Sequence, residues 1–144
     1  MNGFLGTSAS IFSDISLIST ILLGLIAVFG GLQAHRKRFS THCPVMATAA
    51  LLNWVPVLLL MIPNWIRLIN GTLNLASGTF FSVPIFHGVL GGLTQLLMTY
   101  TVVRMYIIDT LPPKNPLWLM RITIALWLLT VLGGIGVYIV SFVI

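Results

Sequence analysis

Charged residues are scarce in this chain, which has seven Lys and Arg and only two acidic residues among its 144 positions. Charged residues make up 6 % of the sequence, whereas soluble domains carry roughly 25 %. So little charge cannot cover a water-facing surface, which excludes a soluble globular domain. The 58 % share of hydrophobic residues indicates an integral membrane protein instead.

Acidic residues and cysteine are the rarest chemically active types. Asp14 and Asp109 are the only side-chain carboxylates, and they fall at opposite ends of the predicted helices, which excludes paired-carboxylate catalysis. The single Cys43 cannot form an internal disulfide. The sequence has no nucleotide, kinase or hydrolase motif. We therefore expect no independent catalytic activity.

Four long apolar runs divide the chain, at residues 11–33, 44–69, 83–108 and 117–142. Each run is long enough to cross a bilayer as a helix, which takes about 20 residues. The sequence therefore predicts one domain over residues 1–144, an all-α integral membrane four-helix bundle. In the second run, Pro44 is expected near the first position of the helix, with Thr41 or His42 as the cap. Pro56 predicts a kink within the same helix.

The basic residues lie at the ends of the apolar runs and predict how the chain is oriented. Six of the seven fall at the ends joined by the 34–41 and 109–116 connections: Arg36, Lys37, Arg38, Arg104, Lys114 and Arg121. Only Arg67 falls at the opposite ends. Because Lys and Arg favour the cytoplasmic side, both termini are predicted to lie outside. This pattern argues against nucleic acid as a partner and fits contact with lipid headgroups.

His42, Cys43 and Met46 open the second run and combine an imidazole with two kinds of sulfur ligand. Such donors suit Cu(I), and His42 and Met46 share one helix face because they are four residues apart. The three residues are a candidate metal site. The alternative is an interfacial histidine followed by a methionine that packs in an apolar helix.

Asp14, His87, Arg67 and Tyr138 are predicted to lie in the outer leaflet, near the outer ends of their helices. Ionisable groups inside a membrane are candidates for function. Asp14, His87 and Tyr138 are expected to approach one another and to bind a quinol headgroup or relay a proton, with a structural hydrogen-bond cluster as the alternative. Because His42 lies on the inner side, His42 and His87 cannot both ligate one haem.

Two amide side chains fall near the middle of the predicted membrane. Asn53 is about 16 residues from the outer end of the second helix, and Gln95 about 12 residues from the outer end of the third. A lone amide in hydrocarbon costs free energy. We therefore expect Asn53 and Gln95 to bond each other, or to share Thr130 or Thr20, in a structural polar layer.

Several of these motifs occur together in one known family. A basic loop precedes H-x-x-x-M from His42 to Met46, and an aliphatic run with an Asn follows in LLNWVPVLLLM. A single His lies early in the third helix in PIFHGVLGG, and the last helix reads RITIALWLLTVLGGIGVYIV. Over about residues 14–140 the chain resembles the domain-of-unknown-function 420 family of small four-helix membrane proteins. The histidine that members usually carry before the last helix is missing here, where the sequence reads KNPLW.

The resemblance implies a role near haem–copper terminal oxidases, in the cytoplasmic membrane of a prokaryote. Four short helices with few polar groups are typical of packing subunits. Together these features predict an accessory or assembly subunit of a respiratory complex, which contacts other subunits through its apolar and glycine-rich faces. We expect it to need no cofactor of its own. Two other functions stay open, a protein that handles copper or haem b and a quinol-binding redox protein.

Overall fold

The computed structural model describes residues 3–70 and 82–143, and these residues form helices joined by short connections. The elements are α1 (Ile11–His35), α2 (Phe39–Leu52), α3 (Trp54–Pro56), a π-helical segment (Val57–Met61), α4 (Ile62–Ile69), α5 (Ser82–Tyr106) and α6 (Pro116–Phe142). The predicted all-α class is confirmed for these residues. The predicted outer loop falls largely on residues 71–81, which lie outside the described part of the chain.

Three helical stretches are long and apolar enough to cross a membrane: Ile11–His35, Phe39–Arg67 and Pro116–Phe142. They indicate a membrane protein, as the composition predicts. The remaining long helix, α5, has the same length as α1, 25 residues. It is more polar because it carries Thr94, Gln95 and Arg104, all of them buried.

The long helices pack side by side in chain order. α1 lies against α2 and α6, and α5 lies against α2 and α6. Both ends of the described chain lie together: Oγ of Ser8 donates a hydrogen bond of 3.2 Å to the carbonyl oxygen of Phe142. We call this the terminal end of the molecule. The opposite end carries residues 36–38 and the 107–115 connection, and we call it the basic end.

The start of α6 agrees with the sequence, whereas the start of α2 does not. The Asn115 side chain accepts a hydrogen bond from the backbone N–H of Leu117, 3.0 Å away. α2 begins at Phe39, so that Pro44 lies inside the helix and not at its first position. His42 does not cap the helix, because its ring bonds a carbonyl group of α1. Membrane helices tolerate an internal proline when neighbouring groups satisfy the freed carbonyl.

The disruption predicted at Pro56 takes the form of a change in helix type. The α-helix stops at Leu52, resumes over Trp54–Pro56 and then continues as the π-helical segment Val57–Met61. Proline removes one N–H from the hydrogen-bond ladder and crowds the preceding turn. The wider π-helical turn follows directly after this loss.

Several glycines lie where a side chain of a neighbouring helix needs room. The Trp65 ring lies directly against Gly88, and the His87 ring lies against Gly133 and Gly134. The Trp65 indole points into the bundle, where its Nε1 atom is buried. The absence of Cβ atoms therefore lets α4, α5 and α6 approach one another closely.

The amide pair predicted for the middle of the membrane is confirmed. Nδ2 of Asn53 donates to Oε1 of Gln95 over 2.6 Å. Nε2 of Gln95 donates in turn to the carbonyl oxygen of Ala50 over 3.2 Å. Thr130 does not bond this pair but lies 3.1 Å from the hydroxyl of Thr94. The pair therefore ties the second helix to α5 by two bonds.

We expect Gln95→Leu to destabilise the protein more than Asn53→Leu, because Gln95 is only 2 % exposed and bonds two partners. The double variant should lose less stability than the sum of the single losses. The difference should be about 0.6 kcal/mol, which is the average for such bonds in membranes. Unfolding of the four proteins in mixed detergent micelles measures it, and strictly additive losses would contradict the direct bond.

Candidate functional site

Asp14 and Tyr138 form a buried hydrogen bond at the terminal end. Oη of Tyr138 donates to Oδ1 of Asp14 over 2.6 Å. The Asp14 side chain is fully buried, and Tyr138 is 8 % exposed. The two residues meet because α1 begins where α6 ends and the two helices pack together. The structure thus brings together two of the residues that the sequence places in the outer leaflet.

Residues 3–10 fold over this carboxylate. The backbone N–H of Leu5 donates to Oδ2 of Asp14 over 2.9 Å. The Thr7 hydroxyl lies 2.7 Å from Oη of Tyr138. Because Tyr138 gives its own proton to the carboxylate, Thr7 must be the donor in this contact. Gly3 packs so closely on Asp14 that no side chain would fit there.

The enclosed carboxylate has a donor on each of its oxygens. A quinol hydroxyl would need one of these acceptor positions, and the segment 3–10 would have to leave before a headgroup could enter. A chain of hydrogen bonds from Thr7 through Tyr138 to Asp14 strengthens each member. This geometry therefore favours the structural alternative, in which the cluster fastens the N-terminal segment to α1 and α6.

His87 lies apart from this cluster, inside the bundle. Its ring packs against α6, where a Cβ added to Gly133 would lie 3.2 Å from the Nδ1 atom. The ring also lies close to Gly134, which is within contact distance of the buried Thr20. Nδ1 of His87 is buried without a hydrogen-bond partner. Gly134 precedes Tyr138 by four residues, so His87 lies about one helical turn deeper.

Arg67 lies on the outside of the molecule and does not join Asp14. It lines a groove of about 110 Å³ between the start of α1 and the second helix, with Phe12, Leu59 and Asn64 among its other lining residues. The predicted outer-leaflet set is therefore divided into a bonded Asp14–Tyr138 pair, a buried histidine and an exposed arginine.

The three candidate metal ligands face different neighbours. Nδ1 of His42 donates to the carbonyl oxygen of Gly30 over 2.8 Å, and Met46 packs on the same glycine. Cys43 lies within electrostatic range of Tyr106 on α5 instead. His42 and Met46 thus face α1 and leave Cys43 out. Within residues 3–70 and 82–143, no three His, Cys, Asp or Glu side chains lie together as a metal site.

Sequence reasoning missed the structural role of Arg104, which it counted only as a charge. Arg104 is 6 % exposed, and its Nε and Nη2 atoms donate to the carbonyl oxygens of Leu111 and Pro113, over 2.9 and 2.7 Å. The Tyr100 hydroxyl donates to the carbonyl oxygen of Pro112. These bonds hold the 107–115 connection against α5. The available signal was an arginine in the last turn of an apolar helix, just before a proline-rich turn.

No protein-family model, no curated protein and no solved structure matches this chain. The resemblance to the domain-of-unknown-function 420 family therefore depends on the motifs within residues 14–140 alone. Membership of that family stays a prediction, and so does every role that the resemblance implies.

Replacing Tyr138 by Phe should destabilise the protein by about 1.5–3 kcal/mol, as expected for a hydrogen bond to a charged group. The variant leaves Oδ1 of Asp14 without a donor and Thr7 without an acceptor. Proteolysis within residues 3–10 should accelerate as well. The matched control is Tyr106→Phe, because that tyrosine is 55 % exposed. Thermal unfolding in detergent measures both variants, and equal stability would rule out a holding role for the bond.

Proposed function

We propose that this chain is a small accessory or assembly subunit of a respiratory, oxidase-type complex in the cytoplasmic membrane of a prokaryote. It has no catalytic activity and no cofactor of its own. The observation that carries this proposal is the division between its interior and its surface. Most buried polar side chains of the described residues form hydrogen bonds within the protein, and the outward helix faces are largely apolar. The family resemblance supports the oxidase context.

The outward face of α5 illustrates this division. Phe86, Leu93 and Leu96 are each more than 60 % exposed. The opposite face of the same helix carries Thr94 and Gln95, both 2 % exposed and hydrogen-bonded. A helix built in this way presents only hydrocarbon to its surroundings, which suits lipid or an apolar partner helix.

The proposal includes a membrane topology of four spanning helices with both termini outside. α5 is as long as α1. Its buried Thr94, Gln95 and Arg104 are hydrogen-bonded within the protein, so it crosses the bilayer without exposing them. Six of the seven Lys and Arg residues belong to the basic end. The positive-inside rule then assigns the basic end to the cytoplasm.

Single-cysteine labelling tests this orientation. In a Cys43→Ser background, Ser8→Cys at the terminal end should react with a membrane-impermeant maleimide in intact cells. Lys37→Cys at the basic end should react only after the cells are permeabilised. Labelling of Lys37→Cys in intact cells, with Ser8→Cys protected, would invert the topology.

Two of the described glycines within helices remain open to a partner helix. A Cβ at Gly92 of α5 or at Gly136 of α6 would meet nothing within 4 Å, whereas Gly88 and Gly134 are covered from inside the bundle. Small residues let helices in a membrane approach closely. Gly92 also lies beside the exposed Leu93. We therefore place the partner contact on the α5 face around Gly92.

Complementation of a gene deletion tests both the context and the face. Deletion should lower the content of assembled terminal oxidase, measured by reduced-minus-oxidised spectra of membranes. With Gly92→Leu, the content of assembled oxidase should stay several fold below that restored by the unchanged protein, because the added side chain blocks close approach. Gly136→Leu is the matched control, since it is equally open, and should restore the oxidase. Normal oxidase in the deletion strain refutes the context, and equal rescue by both variants refutes the face.

Metal handling is the second candidate, and one observation favours it. A histidine that donates its Nδ1–H to a backbone carbonyl has the orientation typical of metal ligands, with Nε2 as the remaining donor atom. His42 has this arrangement, with Met46 on the same side. An absorption spectrum and a metal analysis of purified protein separate the candidates. Stoichiometric copper supports a carrier, a Soret band supports haem b, and neither signal supports the accessory subunit.

A further inference from the structure

An apolar groove runs along the outside of the α1–α2 pair, towards the basic end. It has a volume of about 280 Å³ and is lined by Ile26 of α1 and by Pro44, Val45, Thr48, Ala49 and Leu52 of α2. From Pro44 to Leu52 the groove extends about 12 Å, at 1.5 Å per residue. Only Thr48 contributes a hydroxyl group. A groove of this shape and chemistry suits a hydrocarbon chain.

Three consecutive cations lie beyond the Pro44 end of this groove, where Arg38 precedes Pro44 by six residues, about 9 Å along the helix. Arg36, Lys37 and Arg38 connect α1 to α2, and all three are exposed. The connection is fixed by backbone bonds of 2.9 Å, from Lys37 N–H to the Ala34 carbonyl and from Arg38 N–H to the Gln33 carbonyl. The backbone that carries these cations is therefore fixed at the basic end.

The helical register places one of these cations on the same face as the groove. Arg38 is the N-cap of α2 and precedes Val45 by seven residues. Seven residues make almost two full turns, so the two positions lie on one side of the helix. Asp109 is the only acidic residue at this end of the chain. The potential next to the groove is therefore positive.

We infer that this groove seats one anionic phospholipid, with an acyl chain along α2 and its phosphate among Arg36, Lys37 and Arg38. A phospholipid offers both parts: a hydrocarbon chain for the groove and an anionic headgroup for the cations beyond its Pro44 end. Free phosphate would use the cations but leave the groove unfilled. The inference requires only that α1 and the stretch Phe39–Arg67 span the bilayer, and it is independent of the accessory role.

Native mass spectrometry of the full chain in detergent tests the charge component. The probes are phosphatidylglycerol and phosphatidylcholine with identical acyl chains, supplied in equal amounts. Retention of phosphatidylglycerol should exceed that of phosphatidylcholine by about fivefold or more, which corresponds to at least one cation at a membrane surface. The triple variant Arg36→Gln, Lys37→Gln, Arg38→Gln should abolish the preference. The control Lys114→Gln, Arg121→Gln removes charge elsewhere at the basic end and should retain it.

A second pair of variants tests the groove. Thr48→Trp should fill the groove and lower phosphatidylglycerol retention several fold, whereas Thr48→Val should leave it unchanged. Thr48 is exposed, so neither change disturbs the core. Inorganic phosphate should not displace the lipid. Equal loss in the Lys114, Arg121 control would indicate unspecific attraction, and unchanged binding by Thr48→Trp would indicate headgroup contact alone; either result overturns the inference.

Discussion

A bilayer core offers no hydrogen bonds, so each polar side chain within it needs a partner inside the protein. This constraint explains which helices of this chain pack against each other. Burial of apolar surface cannot decide which helices pack together, because lipid is as apolar as a leucine side chain. The Asp14–Tyr138 bond joins α1 to α6, and the Asn53–Gln95 bond joins the second helix to α5. A threonine pair joins α5 to α6, and His42 joins α2 to α1. Each packed pair of long helices thus shares at least one polar bond.

Three buried polar atoms of the described chain have no hydrogen-bond partner: Nε1 of Trp65, Nδ1 of His87 and Oγ of Ser141. An unpaired buried donor or acceptor costs about 1–3 kcal/mol. For Trp65 and His87 the compensation is close packing, since each ring lies on a glycine of the next helix. Around Trp65 and His87 the bundle therefore relies on contact between surfaces, whereas around Asn53 and Gln95 it relies on hydrogen bonds.

The sequence predicted those features that depend on regular geometry. The Asn53–Gln95 bond followed from a short connection, antiparallel helices and a fixed rise per residue. The same geometry separates two of the candidate metal ligands, His42 and Cys43, because adjacent residues point about 100° apart on a helix. His42 therefore faces α1, whereas Cys43 does not. The fold of residues 3–10 over Asp14 could not be predicted, because it depends on backbone donors that leave no side-chain pattern. The start of α2 at Phe39 was missed because proline usually marks a first turn.

The distribution of glycines limits where another membrane helix can pack closely against this protein. In the sequence, the glycines of the third and fourth helices form two small-residue faces that suit an external partner. The structure fills most of them from inside, with Trp65 over Gly88 and His87 over Gly134. Gly92 and Gly136 remain open. Among the glycines of α5 and α6, only these two leave room for a further helix to approach closely, because the others are already covered from inside the bundle.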